Sequence, residues 1–213
     1  YRLMKNKLFI LLGGFWILFL IGNFSCDTCG PFPNKFKMIG LDWFNYKAIY
    51  SDTASTRLKL LEIANDTVDF NMYSIDIKPK QETYFAQHSS RWSFSLINSA
   101  YACDPAIPQT DEKIDSIVIT SAKDFDINHP SGIDLSDVFD VVVLDDANGI
   151  YFEKYTLDDY LDTNPYVPNE LVLVLNKQPD LTTDFQFLVK YYQNGIDYDY
   201  FEFVTDKIVI DRE

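Results

Sequence analysis

Alternation limits this chain more than any other feature. From Phe36 onward it runs in short segments in which apolar or aromatic residues recur at every second position, and no long segment repeats with the 3.6-residue period of an amphipathic helix. A strand turns successive side chains to opposite faces, so these segments read as half-buried strands. They include "FKMIGLDWFNYKAIY" (36–50), "FNMYSIDI" (70–77), "ETYFAQ" (82–87), "RWSFSLINSAYA" (91–102), "IDSIVITSA" (114–122), "ELVLVLNK" (170–177) and "KIVID" (207–211). Two hairpins are expected. One turns about Asn148-Gly149 and the other about Asn194-Gly195, whose residue pair suits a type I′ turn. Two-residue closure at the second sets Lys190 opposite Asp199, Tyr191 opposite Tyr198 and Phe187 opposite Glu202. Phe201 and Phe203 then fall on the wrong phase, which calls for a bulge near Tyr200. Local helix signals are few. Thr156 is placed to cap a short helix in "TLDDYLD" (156–162), and Asp134 or Ser136 to cap one turn in "HPSGIDLSDVF" (129–139). The expected fold is all-β, an immunoglobulin-like antiparallel β-sandwich with one or two short helices. It occupies residues 36–213 as one domain, with the proline-bearing stretch 104–113 as a candidate subdomain boundary.

The N-terminus has a different character. Arg2, Lys5 and Lys7 precede "LFILLGGFWILFLI" (8–21), an uncharged run shorter than the about 20 residues a membrane-spanning helix needs. Residues 1–25 therefore read as a signal peptide, with an uncleaved membrane anchor as the alternative. Ser25-Cys26 directly after the run resembles a bacterial lipoprotein cleavage site, although Asn23 stands where such sites usually carry Leu. On that resemblance Cys26 carries lipid, and residues 26–35, with Pro31 and Pro33, form a stiff tether. Cys29 and Cys103 then remain, and an exported protein can join them in a disulfide worth about 4 kcal/mol on a chain-entropy model. The competing readings of the cysteines are a redox pair and a zinc site. Gly30, Pro31 and Pro33 deny Cys26 the helix N-terminus a redox pair needs. A zinc site would have to recruit His88 or His129, without paired ligand spacing.

Net charge bears on partners. The chain carries −14, and removal of residues 1–25 takes away three positive charges and no negative one. So acidic a surface repels nucleic acid and anionic headgroups, so nucleic acid is not an expected partner. The expected partners are a membrane, reached through the lipid anchor, and an envelope protein or glycan. The expected location is the outer membrane, lipid-anchored, facing the periplasm or the cell surface.

The lipoprotein-like start, "SLINSAYAC" (95–103), "DEKIDSIVITSAKDFDINHPSGIDLSDVF" (111–139) and the closing "FQFLVKYY" and "FVTDKIVI" together resemble uncharacterised Bacteroidetes lipoproteins of a family of unknown function. The resemblance spans most of the mature chain. It implies an envelope location and an immunoglobulin-like domain, and it carries no active site. Three triplets, Asp-Thr-Ala at 52–54, Asp-Thr-Val at 66–68 and Asp-Ser-Ile at 115–117, are similar to the acceptor triplet of Bacteroidetes O-glycosylation. They mark Thr53, Thr67 and Ser116 as candidate acceptors, with ordinary Asp-rich turns as the alternative.

Catalytic and cofactor motifs are missing from the sequence: no His-Glu-x-x-His, no Gly-x-Ser-x-Gly, no phosphate loop and no dinucleotide fingerprint. No cofactor and no metal are expected, and His88 and His129 read as loop residues. Asp145 with Asp146, or Asp158, Asp159 and Asp162, supply the paired acids a glycan-acting enzyme needs. The loop "DDANG" leaves a calcium-assisted adhesion module open. Tyr191, Tyr192, Tyr198 and Tyr200 form a sugar-stacking platform if several of them face solvent. The leading expectation is a lipid-anchored envelope protein with a non-catalytic binding or structural role, not an enzyme.

Overall fold

The computed structural model describes residues 34–51, 57–63, 66–85, 107–144 and 152–212. The chain divides into two units, Lys35–Thr83 with Gln109–Glu213, and Tyr1–Asn34 with Tyr84–Pro108. The first unit carries the packed sheets.

Among the described residues, twelve strands run in the order β1 Lys35–Ser51, β2 Arg57–Glu62, β3 Thr67–Asp69, β4 Tyr73–Tyr84, β5 Lys113–Ser121, β6 Phe139–Leu144, β7 Phe152–Thr156, β8 Leu171–Leu175, β9 Thr183–Phe185, β10 Phe187–Asn194, β11 Tyr200–Val204 and β12 Ile208–Asp211. A short helix, α1 Leu157–Asp162, lies between β7 and β8. A six-stranded sheet has the order β2-β1-β4-β8-β6-β7, and two three-stranded sheets have the orders β11-β10-β5 and β3-β12-β9. The fold is all-β, mostly antiparallel and sandwich-like; β3 and β12 form a parallel pair.

Strand alternation builds the core. Tyr73, Ile75 and Ile77 of β4, Val141 of β6 and Leu171, Leu173 and Leu175 of β8 face inward from the large sheet. They meet Ile117 and Ile119 of β5, Phe187, Val189 and Tyr191 of β10, Phe185 of β9 and Ile208 and Ile210 of β12. The other face of the large sheet is also dry in part. Val142, Val172 and Val174 pack there with Leu58, Leu60 and Leu144. A sheet that buries apolar residues on both faces explains why "DVVVL" and "LVLVL" are near-continuous apolar runs.

Several local expectations meet the structure closely. Thr156 caps α1, its hydroxyl accepting a hydrogen bond from Asp159 N at 3.1 Å. A 3₁₀ turn covers Ser136–Val138 as expected, but Leu135 is its N-cap and no side chain caps it; Asp134, one residue earlier, accepts at Oδ1 from Ser136 N at 3.1 Å. β6 and β7 form the expected hairpin, whose Asn148-Gly149 turn lies outside the described residues.

Other expectations are corrected. Phe70–Met72 is a 3₁₀ turn, and one continuous strand then runs from Tyr73 to Tyr84 through Pro79, where two strands were expected. The run "DFQFLVKYYQ" (184–193), which reads as one arm of the C-terminal hairpin, is divided at Gln186 into β9 and β10, which belong to different sheets. The C-terminal hairpin closes by a longer loop, with register Tyr192↔Tyr200, Tyr191↔Phe201 and Lys190↔Glu202. Lys190 is thus opposite Glu202 rather than Asp199, and Tyr191 opposite Phe201 rather than Tyr198. That shift already brings Phe203 inward against Val189, so no bulge is needed near Tyr200. The irregularity instead falls between Tyr192 and Gln193, where β10 pairs with β5.

Candidate binding face

The three-stranded sheet β11-β10-β5 has one face in the core and one in solvent. Phe187, Val189 and Tyr191 point inward from β10, so Leu188, Lys190 and Tyr192 point outward. Register then composes the outer face in three rows. Tyr200, Tyr192 and Ser116 form the first, Glu202, Lys190 and Val118 the second, and Val204, Leu188 and Thr120 the third. Tyr200 is 41% exposed and Val204 47%, and the other seven are partly or wholly exposed.

Two aromatic rings dominate one end of this face. The Tyr192 and Tyr200 centroids are 4.9 Å apart with planes inclined by 40°. Tyr200 donates its hydroxyl proton to Glu202 Oε2, and this hydrogen bond is the main reason its acidity falls, with the pKa raised to about 12. The second Glu202 oxygen, the Lys190 ammonium and the Ser116 and Thr120 hydroxyls make no hydrogen bond or ion pair to other described residues. Of the four tyrosines singled out in the sequence, Tyr191 is buried and Tyr192 and Tyr200 share the outer face. Tyr198 is exposed on the β10–β11 loop, 5.8 Å from Phe201.

Charged clusters elsewhere are committed to internal partners. His129 sits between two carboxylates, Nδ1 2.7 Å from Asp126 Oδ1 and Nε2 2.9 Å from Asp137 Oδ1. This arrangement clamps the loop in which His129 was expected. Asp184 accepts from Lys123 and lies 2.5 Å from Lys207 Nζ, and these lysines hold its carboxyl well below the usual range. It borders a cavity of about 240 Å³ with Ser121 and Gln186. A second cavity of about 300 Å³ is lined by Phe44, Tyr46, Glu62, Asp66, Asp206 and Ile208.

Asp76 is a buried acid of the large sheet. It is 0% exposed, beside the dry valines of the large sheet, since it pairs with Val172. Lys78 Nζ lies 3.2 Å from Asp76 Oδ2 and 3.0 Å from Glu170 Oε1, yet neither Asp76 oxygen receives a hydrogen bond of ordinary geometry. Burial, reinforced by Glu170 and opposed by Lys78, raises its pKa to about 7. No sequence signal marked this residue, which looks like any other Asp in a strand.

The remaining sequence candidates are scattered. Cys26, Cys29, Cys103, Thr53, His88, Asp145 and Asp146 lie outside the described residues. Thr67 is exposed in β3, and Ser116 is half-buried within β5 rather than in a turn. Asp158, Asp159 and Asp162 are exposed on α1. Among the described residues, no group of three His, Cys, Asp or Glu side chains is placed to hold a metal ion, and no helix is long and apolar enough to cross a membrane.

No family model, no curated protein and no solved structure matches this chain.

Proposed function

We propose that the protein is a lipid-anchored component of the bacterial cell envelope that binds another envelope component without catalysis, through the outer face of β11-β10-β5. The single observation that carries the binding role is the Tyr192–Tyr200 pair, two rings 4.9 Å apart and inclined by 40° on the outer face of the sheet. Rigid aromatic residues with polar tips are the side chains that contribute most at binding surfaces. A glycan-acting enzyme, the runner-up reading, needs two acids across a cleft, one of them with raised pKa. The acid with that property, Asp76, is 0% exposed in the sheet, and its neighbour Glu170 shares a lysine with it.

The anchor is supported by residues 1–26, where a basic start, an apolar run and Ser25-Cys26 follow in order. Labelled palmitate is expected to enter the protein in growing cells and to be lost with Cys26→Ala. For the binding role, the purified full chain is kept in mild detergent, so that its anchor is masked. Delipidated envelope fragments from the producing cell should retain it and should fail to retain Tyr200→Ala. Equal retention of the two proteins overturns the assignment of this face.

A further inference from the structure

We infer that the outer face of β11-β10-β5 takes an uncharged saccharide chain, one pyranose ring lying on the Tyr192–Tyr200 pair and its hydroxyls reaching Glu202, Lys190 and Ser116. The inference rests on the binding role proposed above and names the ligand class of that same face.

Three observations select this class. The first is shape. The face is a sheet surface, and the cavities beside β1, β2 and β12 and around Asp184 lie elsewhere. The two rings, inclined by 40°, offer an open aromatic surface against which the apolar C–H face of a pyranose ring can lie without a pocket. The second is hydrogen-bonding capacity. Around the rings stand an acceptor (the second Glu202 oxygen), a donor (Lys190 Nζ) and a group that does both (Ser116 Oγ), none paired to other described residues. Sugar hydroxyls both donate and accept, so they match this mixed set, which a purely apolar or purely anionic partner does not. The third is charge. Glu202 and Lys190 oppose each other across the strands and leave the face itself near neutral. Exposed Asp115 and Asp199 stand next to Ser116 and Tyr200 in the chain, whose net charge is −14, and repel an anionic polysaccharide.

The register also sets a direction. Tyr200, Tyr192 and Ser116 lie in one row across three strands. Neighbouring strands are about 4.8 Å apart, so the row spans about 10 Å, the length of roughly two sugar units. The saccharide therefore crosses the strands, with hydroxyls of the unit beyond the rings directed at Ser116.

The test uses the full chain in mild detergent against immobilised cellohexaose, mannohexaose and chitohexaose, with polygalacturonate as the anionic comparison. At least one neutral hexaose should bind and polygalacturonate should not. Tyr200→Ala or Tyr192→Ala should raise the Kd about tenfold, while Tyr200→Phe, which keeps the ring, should stay within about twofold. Thermal melts of Tyr200→Ala matching the parent separate lost binding from lost folding. If no neutral hexaose binds at millimolar concentration while Tyr200→Ala still releases the protein from envelope fragments, the ligand class is wrong and the binding face stands. If Tyr200→Phe binds as poorly as Tyr200→Ala, ring stacking is not the basis of recognition. If Tyr200→Ala changes neither saccharide binding nor envelope retention, both readings fall.

Discussion

Glu112 Oε1 accepts a hydrogen bond at 2.8 Å from the backbone N–H of Ile196, 84 positions further along the chain. Its other oxygen, Oε2, accepts at 2.6 Å from Met38 N on β1. One carboxylate, only 1% exposed, thus fastens the long N-terminal strand and the β10–β11 loop to the segment that enters β5. The loop it holds stands beside the tyrosine face.

Removal of that carboxylate should cost much of the protein's margin of stability. Glu112→Ala strands two backbone donors in a region with little water, at about 2–4 kcal/mol in total. Glu112→Gln keeps one acceptor and should lose about half as much. Urea unfolding of the three proteins at neutral pH measures this. An Ala variant as stable as the parent would refute the staple.

Asp76 should make stability depend on pH with an unusual sign. Its carboxyl keeps a proton up to about pH 7 in the folded chain, whereas in the unfolded chain it titrates near 3.8. Between those values the folded state binds the extra proton, so this residue's contribution to stability falls as pH rises through the window. Asp76→Asn removes the ionisation. The variant should therefore gain on the parent steadily from pH 4 to pH 7 and hold that gain above it, as read from the difference in urea midpoints. A difference that does not vary with pH refutes the assignment.

Asp184 titrates in the opposite sense. Hydrogen bonds from Lys123 and Lys207 depress its folded pKa, so the stability it contributes is present above the ordinary carboxylate range and is lost as pH falls below it. Asp184→Asn should therefore cost stability at pH 7 and progressively less toward pH 2. Acid titrations of both proteins, followed by circular dichroism, compare them.

Gly195 is required for space. A Cβ built there would lie 2.0 Å from Tyr198 O and 2.7 Å from Gln193 Nε2, and the first of these is backbone that has to move. Gly195→Ala should cost about 1–3 kcal/mol and disturb the loop beside Tyr200. Thermal melts report the cost, and weakened retention on envelope fragments reports the disturbance.

Thr156→Ala should lower stability by about 1 kcal/mol, because its hydroxyl caps Asp159 N. The helix it starts places Leu157 and Tyr160 in the core, so the loss should appear in global unfolding.

Local chemistry was legible where it decides structure by itself. The Thr156 cap, the single helical turn at Ser136–Val138 and the pairing of "DVVVL" with "FEKYT" follow from residues close in sequence, whereas the expected side-chain cap of that turn is absent and Leu135 takes the N-cap position. The Asn194-Gly195 turn was misread because the pair resembles a type I′ signal, which needs positive φ at both central residues. Among the described glycines only Gly132 has positive φ. Gly195 serves instead as a close-approach point in a loop closed by Gln193 N to Asp199 O at 2.9 Å. β2 and β3 passed unnoticed because "RLKLLE" alternates imperfectly and "TVD" is too short to show a period.

The sequence by itself determined which residues avoid water, because alternation follows from the backbone's own stereochemistry and needs no partner strand. Tyr191 inside with Tyr192 outside was implicit in that rule. Only the tertiary structure decided which strands meet. The parallel pairing of Val68 with Ile210, the alignment of Tyr192 with Tyr200 and the burial of Asp76 opposite Val172 depend on packing between segments far apart in the chain. Register is fixed by the combined fit of many side chains across such pairs, so it cannot be read from any one segment, and the proposed binding face is a product of that register.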